Sequence, residues 1–558
     1  MVIRLHLYLI RLACLGFLVG FALPGEAQPT IGTTSYNVGT QSGYNLLVPM
    51  TSKETYLLDN CGQIVRQWSA DDLPGLSAYL LEDGSLLRTA RIGTAGFDAG
   101  GSAGRMERYD WNGIRTWRFD VNSDTGQQHH DIAALPNGNV LVLVWEKHLA
   151  AEAIAKGRDP GLLLDELWSE VIYELQPIGI DQAAVVWSWH LWDHLVQNHD
   201  PTAPSFDDPA NRPERVNLNY FLPGSPLNYK DWTHANSIDY NADLDQILLS
   251  VKNFHEAWVI DHSTTTAEAA GSSGGLRGKG GDLLYRWGNP RAYGRGDAPD
   301  QVFYEQHDAQ WVPAGYPGAG NITVFNNGRN RPGGDYSTVE EFTPPVASDG
   351  SYTVPATDAF GPATVAWNYT ASPPTAMYST NLSGAQRQPN GTTLVCAGAT
   401  GEMLEVNNAS SLVWSYRCPV GIGGPATQGS IPTGNQVFRL RRYAPDYAAF
   451  DSKTLLPGDP IQIESAPFIC DEPVGIGLSA SAEGELRAGP NPFHHALHWQ
   501  TGQPLAYRIA DALGRVRAQG PAAQNVTIST ATWPAGMYWL QLIEANGQTR
   551  HSMPLIKL

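Results

Sequence analysis

The chain has 558 residues, among them 57 glycines, 39 prolines and 17 tryptophans. Only 16% of the residues are charged, whereas about 25% is usual. Acidic residues outnumber basic ones by 55 to 36, giving a net charge of −19 at pH 7. This charge argues against a nucleic-acid partner or an anionic lipid surface. The many turn formers and aromatic residues favour strands and turns over long helices.

The first residues resemble a targeting segment. Arg4 and Arg11 supply positive charge, Leu12–Leu23 is apolar, and small residues precede a cut after Ala27. The pattern predicts a secretory signal peptide over residues 1–27, with an uncleaved anchor as the alternative. It is the one long apolar run in the sequence, so no membrane-spanning helix is expected in the mature chain.

Four cysteines would remain after cleavage: Cys61, Cys396, Cys418 and Cys470. In an oxidising compartment they are expected to form two disulfides, with three possible pairings. No Cys-x-x-Cys motif occurs, so the sequence indicates neither a zinc ribbon nor a thioredoxin-type redox site.

Two short elements alternate along the chain, six times each. The first is a turn followed by an apolar strand. The strands are predicted at Ser85–Arg88, Asn139–Val144, Gln246–Val251, Asn321–Phe325, Thr392–Cys396 and Asn435–Leu440. The second is a strand, a turn and a strand that ends in tryptophan. These tryptophans are Trp68, Trp117, Trp187 with Trp189, Trp287, Trp367 and Trp414.

Two hairpin-like elements in each unit predict a four-stranded blade. Six such units predict an all-β fold, a six-bladed β-propeller that leaves few exposed sheet edges. The tryptophans are expected to pack between neighbouring blades, and residues 43–50 to supply the first strand of the first blade. Two segments of the third unit, 149–171 and 190–198, look helical and are expected at a rim or lid.

The composition changes after Cys470, which predicts a linker (471–485) and a small C-terminal β-sandwich (486–558). With the signal peptide (1–27) and the propeller (28–470), the chain is predicted to have four regions. Within the last region, Gly489–Phe493, Tyr507–Val516, Pro534–Leu542 and Ile556–Leu558 resemble the C-terminal sorting domain of the type IX secretion system. The resemblance implies the type IX secretion machinery as a partner and a secreted or cell-surface location. A plain β-sandwich accessory module is the alternative.

Histidines are concentrated in one part of the chain. Ten of the fifteen lie between His129 and His307. His130, His234 and His307 each lie the same number of residues before the turn of the first element, in three consecutive units. They are therefore expected to converge near the propeller axis. His129 is expected to face the same end of the central channel. The alternative is that the His–Asp pairs at 130 and 307 brace turns.

Such a cluster suits three chemistries: metal binding, general acid–base catalysis and nucleophilic catalysis by imidazole. The spacing does not choose among them. Amide and cationic donors nearby favour an oxyanion such as sulfate over a metal cation, and no cofactor or metal is expected. These donors are Asn236, Lys252, Asn326, Asn327 and Arg329.

Several segments in order resemble the bacterial aryl-sulfate sulfotransferases, over roughly residues 44–450. They are Gln128–Asn139, Val186–His194, Thr233–Ser237, Ile247–Ser250, Gln306–Gln310, Phe325–Gly328 and Arg441–Tyr447. That family is a six-bladed propeller. The resemblance implies transfer of a sulfuryl group from a phenolic sulfate ester to a phenol, without a nucleotide donor.

The resemblance also assigns roles. It implies that His307 attacks sulfur and becomes a transient sulfohistidine. The histidine of the family's His-His motif falls on His129 or His130, and the turn register favours His130. The resemblance implies that this histidine, His234 and Asn236 hold sulfate oxygens and shuttle the phenol proton. The expected substrate-binding residues are His129, Asn236, Lys252, Asn326 and Arg329. Lys252 stands where the family commonly has arginine, and lysine lacks the bidentate fork. Because attack requires a neutral imidazole, activity is expected to fall below about pH 6.5.

Three rival functions remain open from the sequence. A sulfatase-like hydrolase would use water in place of the phenol acceptor. A metal-dependent propeller enzyme would use the histidines as ligands. A non-catalytic secreted binding protein would turn over no aryl sulfate.

Overall fold

The computed structural model describes residues 29–93, 96–163, 165–221, 230–463, 487–489, 496–511, 515–544 and 549–557. The predicted signal peptide, the predicted linker and Cys470 lie outside these ranges. The described part is mostly β-sheet with two short α-helices, so the all-β prediction is confirmed. In the same ranges, no helix has both the length and the apolar character needed to cross a membrane.

Within the described ranges, twenty-nine strands precede residue 444. Strands β1–β10 are Gly32–Tyr36, Tyr44–Leu47, Glu54–Leu58, Ile64–Ser69, Pro74–Leu80, Leu86–Arg91, Gly104–Tyr109, Arg115–Asp120, Gly126–Ala134 and Val140–Leu149. Strands β11–β20 are Glu166–Ile178, Gln182–His190, Leu195–Val196, Val216–Asn217, Ala235–Asn241, Gln246–Val251, Glu256–Asp261, Tyr285–Trp287, His307–Trp311 and Ile322–Asn326. Strands β21–β29 are Thr338–Phe342, Trp367–Thr370, Gly384–Arg387, Thr393–Ala397, Glu402–Val406, Leu412–Arg417, Val420–Gly421, Gly424–Pro425 and Arg441–Tyr443.

The helices are short. The α-helices are α1 (Ala150–Ala155) and α2 (Thr266–Ala269). Single 3-10 turns occur at Pro160–Leu162, Leu191–Asp193, Pro209–Asn211, Lys252–Phe254, Pro290–Tyr293, Ala298–Asp300, Pro374–Ala376, Gly398–Thr400 and Ala448–Phe450.

Most strands before residue 444 belong to six antiparallel sheets of four or five strands, which we number along the chain. Sheet 1 has the order β29-β2-β3-β4, sheet 2 is β5–β8, sheet 3 is β9–β12, sheet 4 is β15–β18, sheet 5 is β19–β22, and sheet 6 has the order β1-β26-β25-β24-β23. Strand β29 pairs with β2, from Tyr44 opposite Tyr443 to Leu46 opposite Arg441. The last strand of this region therefore completes the sheet that begins near its start.

The prediction of a strand at 435–440 is wrong. The backbone there bonds to several segments instead of forming a ladder with one: Val437 N–H donates to Gly398 O (3.0 Å), and Gln436 O accepts from Met50 N–H (3.0 Å). The chain thus crosses between sheets 6 and 1 before β29 begins at Arg441.

The two helical predictions in the third unit are also largely wrong. Within 149–171 only α1 is α-helical, and from Glu166 onward the chain is strand β11. Its pairing with β10 begins at Leu149 opposite Glu166. Within 190–198 there is one 3-10 turn, followed by strand β13. The backbone groups of 166–171 are used in a sheet, and this tertiary pairing overrides the local helical pattern.

The tryptophans pack between neighbouring sheets, as predicted. Six indole N–H groups each donate to an oxygen of the next sheet or its loops: Trp68 to Asp110 O (3.0 Å), Trp117 to Gln182 O (2.9 Å), Trp187 to Thr264 Oγ1 (3.1 Å), Trp189 to Gly281 O (2.8 Å), Trp287 to Pro362 O (2.9 Å) and Trp414 to Asn60 O (2.8 Å). Trp367 of sheet 5 instead carries the guanidinium of Arg387 over its ring, at 4.7 Å.

Apolar side chains fill every junction between consecutive sheets. Clusters of buried residues join sheets 1 and 2, sheets 2 and 3, sheets 3 to 5, sheets 5 and 6, and sheets 6 and 1. Each fully buried leucine or valine contributes roughly 1.5–3 kcal/mol. One edge strand of each of sheets 2 to 6 faces its neighbours in the order β5, β9, β15, β19, β23, with β15 in contact with both β9 and β19. This packing holds the starts of β9, β15 and β19 close together.

The C-terminal region forms a separate sheet. Strands β30–β34 are Arg487–Gly489, Ala496–Asp511, Val516–Ser529, Gly536–Ile543 and Thr549–Lys557. Their order is β30-β31-β33-β34, and β32 also pairs with β31. The sandwich architecture remains a prediction.

Candidate functional site

The structure brings His130, His234 and His307 together. His130 lies in β9, His234 directly precedes β15, and His307 is the first residue of β19; all three are buried. The ring centroids of His130 and His234 are 4.6 Å apart. His307 lies near both, because it contributes to the lowered pKa of His130, and His234 contributes to the lowered pKa of His307. Three adjacent strands thus deliver one imidazole each to a common site.

Local backbone irregularity aims these side chains. Each of the three strands has a bulge at this point, and a bulge re-aims the residues beside it. His130 and His234 adopt left-handed conformations, with φ of 48° and 52°. In β19 the left-handed residue is Asp308 (φ 60°), one position after His307. The residues that follow His130 and His307 make the same contact to the next sheet: Asp131 Oδ2 accepts from Ile238 N–H and Asp308 Oδ2 accepts from Ala385 N–H, both at 3.1 Å.

The tautomer of His307 is set by its neighbours. Its Nδ1 lies 2.8 Å from Asn327 Oδ1 and 3.1 Å from Glu305 O, and both oxygens are acceptors. Asn327 Nδ2 donates to Ser379 O (2.8 Å) and Leu382 O (3.2 Å), which fixes the orientation of the amide. Nδ1 of His307 must therefore carry the proton. In the neutral ring, Nε2 keeps its lone pair.

His307 is also kept neutral. Burial, followed by the positive charge of Lys252, lowers its pKa to about 3. The expectation that activity falls below pH 6.5 is therefore wrong for this group, since that value belongs to a solvated imidazole. Burial and the neighbouring His234, His129, His307 and Lys252 likewise lower the pKa of His130 well below its usual range.

His129 lies behind His130. Its Nε2 donates to the Glu170 carboxylate (2.8 Å), and its Nδ1 lies 2.9 Å from Nδ1 of His130. In neutral His129, Nδ1 accepts from His130 Nδ1–H, so His130 Nε2 bears a lone pair. Both ring nitrogens of His129 are used inside the protein. The structure therefore gives His129 a positioning role, which differs from the expected contact with substrate.

Glu170 links this pair to the strand that carries His234. Its Oε1 accepts from Ala235 N–H (2.7 Å) and from the Thr233 hydroxyl (3.0 Å), while Oε2 binds His129. Every acceptor of this buried carboxylate thus faces a donor on β9 or at the start of β15. Breaking such a satisfied buried network is costly.

His234 has a carboxylate partner, because its Nδ1 donates to Asp231 Oδ2 in a short contact. Nε2 is therefore the atom of His234 that can exchange a proton with a ligand. Trp145 packs against the cluster: its ring stacks on His129 at 4.1 Å, with His130 at 6.0 Å and His234 at 6.4 Å.

Gly101 packs directly against His130. Its carbonyl accepts from His130 N–H (2.8 Å), and its φ is +98°. A Cβ added at Gly101 would lie 1.9 Å from His130 Cε1. This position needs glycine both for its backbone conformation and for the space occupied by the imidazole.

Two cations flank the site and share one carboxylate. Lys252 Nζ lies 3.4 Å and Arg329 Nη1 lies 3.6 Å from Glu305 Oε2. Lys252 lowers the pKa of both His130 and His307, so its charge faces the imidazoles. The Arg329 side chain is 53% exposed and lies farther out.

The two asparagines expected to bind substrate are buried in structural contacts. Asn236 Nδ2 donates to Gln306 O (2.8 Å). Asn326 bonds to Tyr304 N–H and Val302 O, at 2.8 and 2.9 Å. They position the segment that leads into His307, and their expected contact with sulfate stays a prediction.

The aspartates that follow two of the histidines do brace the fold. Asp131 Oδ2 and Asp308 Oδ1 lie 2.7 and 3.1 Å from Nη1 of the buried Arg439. Asp308 also pairs with Arg441 (3.0 Å). The bracing interpretation therefore holds for the aspartates, while their histidine neighbours face the cluster.

The cysteines differ from the two-disulfide expectation. Cys61 is disulfide-bonded, whereas Cys396 and Cys418 are buried free thiols. Burial raises the pKa of Cys418 to about 12, which makes it a poor nucleophile. Within the described ranges, no group of three or more His, Cys, Asp or Glu side chains is arranged to hold a metal ion.

Several site residues were missed from the sequence: Gly101, Trp145, Glu170, Asp231 and Glu305. Asn327 was noted as a nearby donor but was not expected to bond His307. Asp231 and Glu305 stand three and two positions before histidines of the cluster, a proximity that could have suggested them. Glu170 and Trp145 carry no local signal, because pairing between β10 and β11 brings them together.

Comparison with known proteins points to one family. A sequence model of the family described as "Arylsulfotransferase (ASST)" matches residues 44–414. No curated protein matches this chain.

Similar solved structures include a protein of unknown function from Bacteroides caccae (TM-score 0.39, 9% identity, 72% of this chain and 99% of that chain). They also include an inactive virginiamycin B lyase from Staphylococcus aureus with quinupristin (TM-score 0.32, 8% identity, 70% and 89%). A third is the β-propeller domain of Myceliophteria thermophila Cps50 (Swd1) (TM-score 0.35, 11% identity, 75% and 97%). At these values the likeness carries no argument about activity.

Proposed function

This chain belongs to the arylsulfotransferase family, and on that premise we propose that it transfers a sulfuryl group in two steps through His307. The enzyme class follows from the family; the covalent route and the site residues are the proposal. One observation carries it: Nδ1 of His307 is committed to Asn327 Oδ1 and Glu305 O, so a buried, neutral Nε2 is left with its lone pair.

In the first half-reaction the lone pair of His307 Nε2 attacks the sulfur of an aryl sulfate. The N–S bond forms, and the bond from sulfur to the aryl oxygen breaks. The departing phenolate takes a proton from Nε2 of His234, whose Nδ1–H stays on the Asp231 carboxylate. The sulfated ring of His307 carries positive charge, which the two oxygens at Nδ1 stabilise.

The second half-reaction reverses these steps with a new phenol. Neutral His234 takes the proton of the acceptor hydroxyl at Nε2, and the oxygen attacks sulfur. The N–S bond breaks, and its electron pair returns to His307. General acid–base catalysis of this kind typically contributes 10²- to 10⁴-fold to the rate.

Charge spreads over three sulfuryl oxygens in the transition state. Lys252 is the proposed donor to these oxygens, and Arg329 extends the positive field outward. His130, which stays neutral, packs against His234 and holds that proposed acid–base group in place. Removing one preorganised donor of this type costs on the order of 3 kcal/mol of barrier. Lys252 supplies a point charge where the family commonly has an arginine fork.

We further propose that the catalytic region (28–470) is a six-bladed β-propeller. Support comes from the six successive antiparallel sheets, the apolar clusters at their junctions, and the pairing of β29 with β2. A closed ring would bring the starts of its inner strands to one axial site.

Export is also a proposal. A signal peptide (1–27), a linker (471–485) and a type IX sorting domain (486–558) would carry the enzyme to a secreted or cell-surface location. The disulfide at Cys61 supports an oxidising compartment, because disulfides are rare in cytosolic proteins.

The test separates transfer from hydrolysis. Purified protein is given 4-nitrophenyl sulfate with and without phenol, and phenyl sulfate, free sulfate and nitrophenol are measured. The proposal expects phenyl sulfate to form in step with nitrophenol, and turnover to stop after one equivalent when phenol is absent. Continued release of free sulfate without phenol would establish a sulfatase instead.

A further inference from the structure

We propose that Glu305 determines charge selectivity, so that the site accepts monoanionic aryl sulfates and rejects dianionic aryl phosphates. The inference rests on the proposed function, because it places the transferred group at His307. Glu305 lies two residues before that histidine.

The carboxylate of Glu305 lies between the two cations of the site. Its Oε2 is 3.4 Å from Lys252 Nζ and 3.6 Å from Arg329 Nη1. The Glu305 side chain is only 15% exposed, so water screens these charges weakly. A ligand anion that approaches Lys252 and Arg329 therefore also meets the negative charge that already pairs with them.

The backbone of Glu305 is held in place from both sides. Its φ is +56°, a conformation that non-glycine residues adopt rarely and at a cost. Its N–H donates to His255 Nδ1 (2.9 Å), and its carbonyl accepts from His307 Nδ1 (3.1 Å). These bonds fix the carboxylate relative to the nucleophile, so the negative charge is a built feature of the site.

This charge distinguishes two ligands of the same shape. A sulfate ester carries one negative charge, whereas a phosphate ester carries about 1.5 to 2 at pH 7, because its second pKa is near 6. Both groups are tetrahedral with three terminal oxygens. A fixed carboxylate several ångströms from the ligand repels the second charge by an amount worth roughly tenfold or more in affinity.

The test uses two ligands that cannot transfer a sulfuryl group. Benzenesulfonate is a monoanion whose sulfur is bonded to carbon, and phenyl phosphate is a dianion at pH 8. Their dissociation constants are measured by calorimetry on the full chain and on three variants: Glu305→Gln, Glu305→Asp and Glu402→Gln. The last removes a carboxylate paired with Arg417 on sheet 6, away from the histidines.

We expect the wild type to bind benzenesulfonate at least about tenfold more tightly than phenyl phosphate. Glu305→Gln should reduce this ratio at least about tenfold, while Glu305→Asp and Glu402→Gln keep it. An unchanged ratio in Glu305→Gln, or an equal change in Glu305→Asp, would overturn the proposal. So would a wild type that binds phenyl phosphate at least as tightly, a result that needs no variant to fold.

The binding ratio tests the role of Glu305, and the transfer assay tests the proposed reaction, so each can contradict its own claim without affecting the other. A protein that shows the predicted ratio but transfers no sulfuryl group would contradict the proposed reaction and leave the charge selectivity standing. A protein that transfers sulfuryl groups but lacks the ratio would contradict only the role of Glu305.

Discussion

Asn327 Oδ1 lies 2.8 Å from Nδ1 of His307, and the amide of Asn327 is locked by two backbone carbonyls, Ser379 O and Leu382 O. The amide can therefore present only its oxygen to the ring. This contact fixes which nitrogen of His307 holds the proton and which holds the lone pair. In the proposed reaction Asn327 would act through His307, as a positioning residue.

Replacing Asn327 with alanine should slow sulfation of His307. Loss of this hydrogen bond costs about 1–3 kcal/mol, or roughly tenfold to a hundredfold in rate. Single-turnover release of nitrophenol from 4-nitrophenyl sulfate measures the effect. Asn321→Ala is the matched control, because that amide lies at the opposite end of β20 from Asn327 and bonds to Glu341 of β21 and to Thr343. An equal loss in both variants would assign Asn327 a purely structural role.

Nucleophilic attack by His307 on the aryl sulfate should continue at acidic pH. With a pKa lowered to about 3 by burial and Lys252, the ring stays neutral far below the usual 6.5. The rate of sulfation by 4-nitrophenyl sulfate, whose leaving group needs little proton assistance, should therefore show no acid limb near pH 6.5. A limb centred there in single-turnover kinetics would contradict the buried, neutral nucleophile.

The lowered pKa of His307 also makes the folded protein less stable at acidic pH. In the unfolded chain His307 binds a proton near pH 6.5, whereas in the folded chain it does so only near pH 3. The unfolded state therefore holds more protons between these values, and stability decreases as pH falls through this window. His255, also lowered to about 3 by burial, adds to the effect. Melting temperatures between pH 7 and pH 4 measure it; a melting temperature that rises toward pH 4 would contradict the assignment.

The sequence predicted the strand-rich fold, the four-strand units and the tryptophan contacts, because these follow from periodic local patterns. It also predicted that His130, His234 and His307 meet, since equivalent strands bring equivalent residues together. It failed at 149–171, where pairing with β10 overrides a helical pattern. It did not predict that the side-chain amides of Asn236 and Asn326 donate to backbone carbonyls, because composition does not show whether a buried amide is already bonded. Their contact with substrate stays a prediction.

The proton partner of the phenol can be tested through Asp231. Asp231→Asn removes the carboxylate that supports a protonated His234, so transfer from phenyl sulfate should fall roughly 10²-fold or more. The loss should be much smaller with 4-nitrophenyl sulfate, whose phenolate leaves readily. Asp282→Asn is the control, because it removes the partner of another buried histidine, His194. Equal losses with both donors would argue against proton transfer by His234.

Gly101 offers a steric test of His130. The Cβ of Gly101→Ala would lie 1.9 Å from the His130 ring, so the imidazole must move and transfer should fall at least about tenfold. Gly93→Ala is the matched control: its φ of +105° resembles the +98° of Gly101, but no atom of the described residues lies within 4 Å of the added Cβ. Both variants carry the same backbone strain. Similar activities would show that the position of His130 does not matter.

The central claim is a covalent bond between sulfur and His307, and intact mass spectrometry tests it most directly. The protein is mixed briefly with 4-nitrophenyl sulfate in the absence of phenol, quenched at alkaline pH and weighed beside a folded His307→Asn variant. The account predicts that the wild type gains the mass of one SO3 group, which disappears when phenol is added before quenching, and that the variant gains none. A wild type that releases nitrophenol without gaining this mass, or a variant that is sulfated equally, would contradict it.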